Sequence, residues 1–120
     1  MSVNHSPLPT GASKTFKRQV EAFRALVHQE VHPVQMMVFL EVCNTPPLSV
    51  SVTYIKDELH ISQAAASRHC RMMVDKYSPS KEGHGLCRWV QDPKDFRSKY
   101  LELTEKGEAV REELRKVFTK

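Results

Sequence analysis

The segment that decides the fold is Ser62 to Tyr77, which reads SQAAASRHCRMMVDKY. On a helix of about 3.6 residues per turn, this segment has one apolar side and one side with small, polar and cationic side chains. The apolar side consists of Ala66, Cys70, Met73, Val74 and Tyr77. The opposite side consists of Gln63, Ala64, Ser67, Arg68 and Arg71. The pattern therefore predicts a helix that packs on the core with one face and presents cations on the other, with the Ser62 hydroxyl as its N-cap.

A second short helix is predicted immediately before this one. Ser51 can cap it, and Ile55 and Leu59 are four residues apart, which places them on one face. His60 stands at the turn between the two helices, and His is among the few non-glycine residues that tolerate positive φ. Two helices joined by so short a turn predict a helix-turn-helix over 51–77, in which the first helix braces a second that enters the major groove of DNA.

A β-hairpin is predicted within 86–104, after the helix-turn-helix. Its strands are expected over 86–91 and 99–103, and Leu101 and Leu103 supply the inward face of the second strand by alternation. Residues 92–98 would form the tip of this hairpin. The hairpin supplies the wing that commonly accompanies a helix-turn-helix.

Three connecting segments show no strong period. Residues 1–12 contain Pro, Gly, Ser and Asn and predict a flexible arm. Residues 48–50 predict a short additional strand. Residues 78–85, SPSKEGHG, predict a flexible loop between the second helix and the wing.

Amphipathic helices are predicted at both ends of the domain, over 13–31 and 104–119. Their apolar stripes consist of Phe16, Val20, Phe23 and Val27 in the first and Val110, Leu114, Val117 and Phe118 in the last. A central helix begins at Pro33, ends by Asn44 and is apolar all round, so it already supplies a core. The two stripes are therefore predicted to join a second copy of the chain in a homodimer.

Length and composition fit one globular domain over 13–120. Of the 120 residues, 40% are hydrophobic and 27% charged, and no apolar run is long enough for a membrane span. The net charge is +4, and residues 61–100 hold eight Lys or Arg against four acids, while the remainder holds ten of each. The cationic excess lies in the predicted second helix and wing, which favours contact with nucleic-acid phosphates.

Four sequence blocks together resemble the winged helix-turn-helix of the MarR (multiple-antibiotic-resistance repressor) family. In order, they are IKDELHISQ at 55–63 with Ser67-Arg68, GLCR at 85–88, DPKDFRS at 92–98 and LTEKG at 103–107. The resemblance covers about 34–117, and the wing block and its exit are the most diagnostic. It implies a mainly α (α+β) fold whose first and last helices interlock between two subunits. The chain departs from the family where Phe96 replaces a frequent Arg, where 77–84 lengthen the link to the wing, and in its short last helix.

These features predict a cytoplasmic, homodimeric regulator of transcription, more specifically a repressor, that binds double-stranded DNA. Its predicted DNA contacts are Ser62, Gln63, Ala64, Ser67, Arg68, Arg71, Lys94, Arg97 and Lys99. In the major groove Arg pairs with guanine and Gln with adenine, whereas cations at a hairpin tip suit the minor groove. The family resemblance also implies a small-molecule effector, although no residue in the sequence identifies its pocket.

Other functions have less support in the sequence. It contains no Gly-rich phosphate loop, nucleophile elbow or His-Glu-x-x-His motif, so neither an enzyme nor a cofactor is predicted. His28 with His32 is an incomplete set of zinc ligands, and so is His84 with Cys87, which is expected near His69 and Cys70; no metal is therefore predicted. The three cysteines show no paired spacing. Two alternatives stay open: a winged-helix module for protein interaction or assembly, and a DNA-binding initiator or architectural factor of a mobile element.

Overall fold

The computed structural model of the protein describes residues 6–119. The elements are α1 (Thr10–Leu26), α2 (Pro33–Asn44), α3 (Val52–Leu59), α4 (Gln63–Met73), β1 (Lys76–Ser78), β2 (Lys81–Glu82), β3 (Cys87–Asp92), β4 (Asp95–Leu103) and α5 (Glu105–Phe118). β1 pairs antiparallel with β2, and β3 pairs antiparallel with β4, in two separate sheets. The α+β architecture of a helix-turn-helix followed by a wing is thus confirmed.

The core surrounds α2, as its uniformly apolar sequence predicts. Side chains that are almost completely buried come from α2, α3, α4, the wing and α5: Val38, Phe39, Ile55, Cys70, Met73, Leu86, Cys87 and Leu114. Phe23 of α1 packs edge-on against Phe39, with ring centroids 6.4 Å apart. Burying one large apolar side chain contributes about 1.5 to 3 kcal/mol, so this cluster is the main stabilising feature of the domain.

Ser or Thr side chains cap three of the helices. Ser51 accepts the backbone N–H of Tyr54, and Ser62 accepts that of Ala65, at 3.0 and 3.1 Å. Thr104 likewise caps α5 through its hydroxyl. Each such cap contributes about 1 kcal/mol and fixes where a helix begins. The starts of α3, α4 and α5 are consequently the best predicted boundaries in the chain.

The position of the first helix is a correction, because 13–31 was expected and α1 begins and ends earlier. Local hydrogen bonds hold the segment that follows α1 in a non-helical conformation, including one from the backbone N–H of Glu30 to Nδ1 of His28 at 3.0 Å. Such side-chain bonds compete with the helical ladder. Pro33 also keeps His32 extended, because the proline ring disfavours a helical conformation in the residue before it.

Two connecting segments differ from expectation. The predicted flexible arm, 1–12, overlaps the first turn of α1, and its residues 1–5 lie outside the described part of the chain. The extra strand expected next to the wing is not formed. Leu48 turns the chain with φ of 58°, and Val50 meets the wing through one backbone hydrogen bond, donated by Leu101 at 2.8 Å.

The end of the second helix of the motif is also a correction. α4 stops one residue before Val74, which is extended, and Tyr77 lies in β1 instead of on the helix. The expected loop, 78–85, contains β2 and returns to the helix end. There the backbone N–H of His84 donates to the carbonyl of Met72 at 2.7 Å. The last carbonyls of a helix lack partners within it, so the returning chain satisfies them.

The wing has a tighter turn than expected. Residues 93–94 form its tip, whereas 92–98 was predicted. The register of the ladder shifts immediately before Asp92, which pairs with Asp95, so residues 96–98 bulge out of regular pairing. Residues 95–98, which were predicted to belong to the tip, therefore lie at the start of β4.

The molecule is elongated, with extents of 60 × 30 × 30 Å. In α1, Phe23 is the only buried residue and Phe16 is 67% exposed. None of the described helices combines the length and the apolarity needed to cross a bilayer. α1 therefore extends beyond the core with part of its apolar stripe uncovered.

Candidate nucleic-acid interface

The helix-turn-helix has a tight turn centred on His60. This residue adopts φ of 55° and ψ of 48°, the left-handed conformation that the sequence predicts for it. The next residue, Ile61, donates its backbone N–H to the carbonyl of Lys56 at 3.2 Å and so closes the end of α3. α4 then starts at once behind Ser62, which fixes the two helices against each other.

α4 divides into the two faces that the sequence indicates. Its buried face consists of Ala66, His69, Cys70 and Met73, and its exposed residues include Gln63, Ala64, Arg68 and Arg71. The cap Ser62 is exposed and Ser67 is half-buried. The six helix residues predicted to contact DNA thus lie at or near one exposed surface. His69 lies on the buried face, and the sequence interpretation considered it only as part of an incomplete zinc site.

Arg71 is oriented by a residue that the sequence interpretation placed elsewhere. Its guanidinium carbon lies 4.8 Å from the centre of the Tyr77 ring, and Nζ of Lys81 lies 5.1 Å from the same centre. Both distances are within the range of cation–π attraction. Tyr77 therefore joins the exposed face of α4 to the β1–β2 hairpin. In the sequence, the polar residues at 78–85 were the feature that could have indicated a chain returning to the end of α4.

Arg97 projects from the bulge of the wing, with its side chain 95% exposed. Its Nε lies 3.5 Å from Oδ1 of Asp95, which also accepts the backbone N–H of Arg97 at 3.1 Å. The hydroxyl of Ser98 donates to the second carboxylate oxygen at 3.1 Å. The backbone N–H of Arg97, followed by the Ser98 hydroxyl, holds the pKa of Asp95 below its usual value. The carboxylate therefore stays ionised and anchors the bulge.

Lys94 and Lys99, the other two predicted wing cations, make different contacts. The backbone N–H of Lys94 donates to Oδ1 of Asp92 at 2.9 Å, which shapes the turn and leaves this residue exposed. Nζ of Lys99 lies 5.0 Å from the centre of the Trp89 ring on the neighbouring strand. Phe96 is 74% exposed and does not pack against the hairpin. The bulge thus presents an aromatic ring next to an almost fully exposed guanidinium.

Comparison with known proteins identifies the fold. The sequence matches no protein-family model and no curated protein. Among solved structures, a MepR variant of S. aureus bound to an oligodeoxyribonucleotide superposes with a TM-score of 0.72 at 15% identity, over 92% of this chain and 72% of that one. A MarR transcriptional regulator from Methanosarcina mazei superposes with 0.62 at 18% identity, over 92% and 73%. The chain has the fold of the MarR-type regulators.

A third structure with this fold is CouR from Rhodococcus jostii bound to p-coumaroyl-CoA. It superposes with a TM-score of 0.62 at 14% identity and covers 90% of this chain and 67% of that chain. The MarR-type winged helix-turn-helix expected from the four sequence blocks is thereby confirmed as a fold. The Methanosarcina mazei protein is a regulator of transcription.

α1 and α5 lie side by side, and their predicted dimer stripes are partly used within the chain. Phe23, Val110 and Leu114 are buried. The Phe23 ring lies 6.4 Å from that of Phe118, which is still 40% exposed. The remaining stripe residues are exposed or half-buried: Phe16, Val20, Val27 and Val117. Part of each stripe packs on the core of its own chain, and the rest of each stripe lies at the surface.

Two of the three thiols, Cys70 and Cys87, are buried, and Cys43 is partly buried. Burial raises the pKa of Cys70 and of Cys87 to about 12, and burial also raises the pKa of Cys43 to about 11. Because the thiolate is the reactive form, all three cysteines remain protonated near neutral pH. Within residues 6–119, no group of three His, Cys, Asp or Glu side chains is arranged to hold a metal ion.

Proposed function

We propose that this protein is a homodimeric repressor of transcription that binds double-stranded DNA through α4 and the β3–β4 wing. The observation that carries the proposal is the charge of the exposed face of α4. This face presents Gln63, Arg68 and Arg71, and the helix contains no Asp or Glu. Because phosphates repel carboxylates and attract cations, a surface of this composition fits a DNA groove.

The side chains on this face also match the chemistry of base recognition. Arginine can donate two hydrogen bonds to guanine, and glutamine can pair with adenine through its amide. Small residues at the N-terminus of α4, Ser62 and Ala64, allow the helix to approach the base edges closely. We assign Arg68 and Arg71 to base recognition, with Ser67 beside them at the groove wall.

The wing supplies the second half of the proposed interface. Arg97 is exposed and is held at its base by Asp95, so its guanidinium extends from a fixed point. A cation projecting from a hairpin suits the narrow, electronegative minor groove beside an A·T-rich segment. Lys94 and Lys99 are assigned to phosphate contacts, which add affinity without sequence preference.

The proposed dimer follows from the exposed part of α1. Most of this helix lies outside the core, and a helix without tertiary contacts is marginally stable in water. Covering Phe16 and the exposed edge of Phe118 with a second copy would stabilise α1. Two copies related by a twofold axis would place two α4 helices on half-sites about one turn of DNA apart.

The MarR-type neighbours support both proposed partners. MepR is bound to an oligodeoxyribonucleotide, which supports DNA binding by the shared fold. CouR is bound to p-coumaroyl-CoA, which supports a small-molecule effector. We infer that an effector modulates DNA binding here as well, and that the protein acts in the cytoplasm.

Selection of bound fragments from random duplex DNA tests the proposed function. The expected result is enrichment of a palindrome with two half-sites. The variant with Arg68→Ala and Arg71→Ala should lose this enrichment. A matched control with Lys14→Ala and Lys17→Ala removes the same charge from α1 and should retain it. Enrichment of no sequence by the wild-type protein would contradict the proposal and favour the protein-interaction module.

A further inference from the structure

Four histidines from separate parts of the fold line one cavity of about 580 Å³. They are His28 and His32 from the α1–α2 link, His69 from α4 and His84 from the segment before the wing. The rings form two pairs. The centroids of His32 and His69 are 4.4 Å apart, and those of His28 and His84 are 6.1 Å apart. The cavity therefore concentrates titratable groups where three segments of the chain meet.

A buried amide joins two of these histidines. Gln35 of α2 is 8% exposed. Its Nε2 lies 3.2 Å from Nδ1 of His69, and its Oε1 lies 2.7 Å from Nε2 of His84. One side chain thus connects α2 to α4 and to the chain that returns from the β1–β2 hairpin. The sequence offered one sign of this role, because Gln35 is a polar residue within the otherwise apolar start of α2.

This bridge accommodates one imidazolium but not two. A histidine cation carries N–H groups on both ring nitrogens and needs an acceptor at the bridged one. The Gln35 amide has a single acceptor, its oxygen, whichever way the amide is turned. When the oxygen faces His84, the amide N–H₂ group requires an unprotonated nitrogen on His69. A second proton on the pair therefore leaves two donors facing each other in a buried site, which is costly.

The other two rings are also held through unprotonated nitrogens. Nδ1 of His32 accepts the backbone N–H of Val34 at 3.0 Å and caps the start of α2. Nδ1 of His28 accepts the backbone N–H of Glu30 at 3.0 Å in the link. A proton placed on either nitrogen would remove the acceptor that shapes its segment. The two Nδ1 atoms thus shape the link and the start of α2 beside the bridge.

The surrounding charges are mixed. Arg68, Lys81, Glu30 and Glu82 line the cavity with the phenol of Tyr77, and Nζ of Lys106 lies 2.8 Å from the carbonyl of His84. Burial, then His32 and Arg68, holds the pKa of His69 below its usual value. Burial, then His28 and Lys106, does the same for the pKa of His84. The two glutamates are exposed, so solvent screens their opposing attraction.

We propose that His69, Gln35 and His84 form a proton-operated switch beside His28 and His32, in which uptake of a second proton breaks the bridge and loosens α4 from α2. The free energy of unfolding follows the usual linkage. Because the folded state binds His69 and His84 protons less tightly than the unfolded chain does, stability is complete above the ordinary histidine pKa of 6.5 and is lost as the pH falls below it. Loosening α4 displaces Arg68, which is adjacent to His69, so its effect on DNA binding rests on the proposed function.

Two measurements on the purified protein test the switch. In the wild-type protein, NMR titration of the ring signals should show His69 and His84 taking up protons at lower pH than a histidine in a short peptide. Urea unfolding between about pH 8 and about pH 5.5 should show the midpoint falling on acidification. The fall should be smaller in the variant with His69→Gln and His84→Gln, which keeps hydrogen-bonding groups at both positions but removes the protons.

The control variant is His60→Asn, which replaces a histidine outside the cavity with a residue that accepts the same left-handed backbone. It should show the wild-type dependence of the midpoint on pH. Ring titration of His69 and His84 at or above the peptide value would overturn the proposal, as would equal acid sensitivity of the double variant and the wild type. If the protein binds no DNA at any pH, the proposed function fails, while the titration and unfolding results still decide the switch.

Discussion

The guanidinium carbon of Arg71 lies 4.8 Å from the centre of the Tyr77 ring. This contact joins the proposed recognition helix to a hairpin that follows it by only a few residues. The ring also faces Nζ of Lys81 at 5.1 Å, so two cations share one aromatic side chain. The direction of Arg71 is therefore set outside α4. The hairpin acts as a support for the proposed DNA-reading surface.

Replacing the aromatic ring should weaken DNA binding indirectly. We expect Arg71→Ala to cost about 1 to 3 kcal/mol on the selected site if Arg71 pairs with a base. Tyr77→Leu should cost less, about 0.5 to 1 kcal/mol, because an exposed cation–π contact has this size. Tyr77→Phe keeps the ring and serves as the control with near wild-type affinity. Anisotropy titrations measure all three. Full affinity in Tyr77→Leu, with a loss in Arg71→Ala, would show that the ring does not position the arginine.

The two wing cations should differ in what they contribute. Arg97→Ala should weaken binding most on duplexes with A·T-rich flanks, because the narrow minor groove of such flanks attracts an inserted cation. Lys94→Ala should instead reduce the slope of log affinity against log salt by about one or less, with little change in sequence preference. Titrations of A·T-flanked and G·C-flanked duplexes at several salt concentrations separate the effects. Unchanged binding of both duplexes by Arg97→Ala would make this residue only a structural partner of Asp95.

Sequence reasoning predicted the elements whose boundaries depend on neighbouring residues. Ser51, Ser62 and Thr104 each cap the helix expected to follow them, and the left-handed turn stands at His60. The buried and exposed faces of α4 also follow directly from its period. These features are local, because a cap or an amphipathic face is decided within one or two turns of helix.

The features that were wrong or missed depend on contacts between distant residues. Residues 78–85 have the composition of a loop, but a β1–β2 hairpin forms because the returning chain meets the free carbonyls at the end of α4. The His69–Gln35–His84 bridge joins residues 34 and 49 positions apart in the sequence. Neither spacing resembles a motif. Only the three-dimensional arrangement shows that one buried glutamine faces two histidines.

The exposed half of α1 should control the oligomeric state. Phe16 is 67% exposed on a helix that lies mostly outside the core. We expect Phe16→Ser to shift the protein from dimer to monomer at micromolar concentration, because it removes apolar area from the proposed contact and little from the core. The control, Lys17→Ser, changes the next residue and should remain dimeric. Sedimentation equilibrium measures both, and a wild-type monomer would mean that the α1 and α5 stripes serve only their own chain.

The return of the hairpin to α4 requires glycine at position 83. A Cβ added there would collide with the backbone carbonyl oxygen of Val74 and would lie 2.9 Å from the carbonyl oxygen of Met72. Both obstacles are backbone atoms at the end of α4, so they cannot move aside as a flexible side chain would. Gly83 also donates its backbone N–H to the carbonyl of Asp75 at 3.0 Å, which closes the hairpin. Overpacking of this kind costs about 1 to 3 kcal/mol, and the rigid surroundings favour the upper end.

We therefore expect Gly83→Ala to lower the free energy of unfolding and to weaken DNA binding, because the shifted hairpin carries Tyr77 away from Arg71. Gly11→Ala is the matched control. A Cβ at Gly11 meets nothing within 4 Å, and alanine favours helix over glycine by up to about 1 kcal/mol, so this variant should be as stable as the wild type or slightly more so. Urea unfolding measures the stability of both variants, and hydrogen exchange at the end of α4 locates the change. Wild-type stability and unchanged exchange in Gly83→Ala would mean that a Cβ fits at position 83 in solution, and that the hairpin does not pack against the end of α4 as closely as the structure shows.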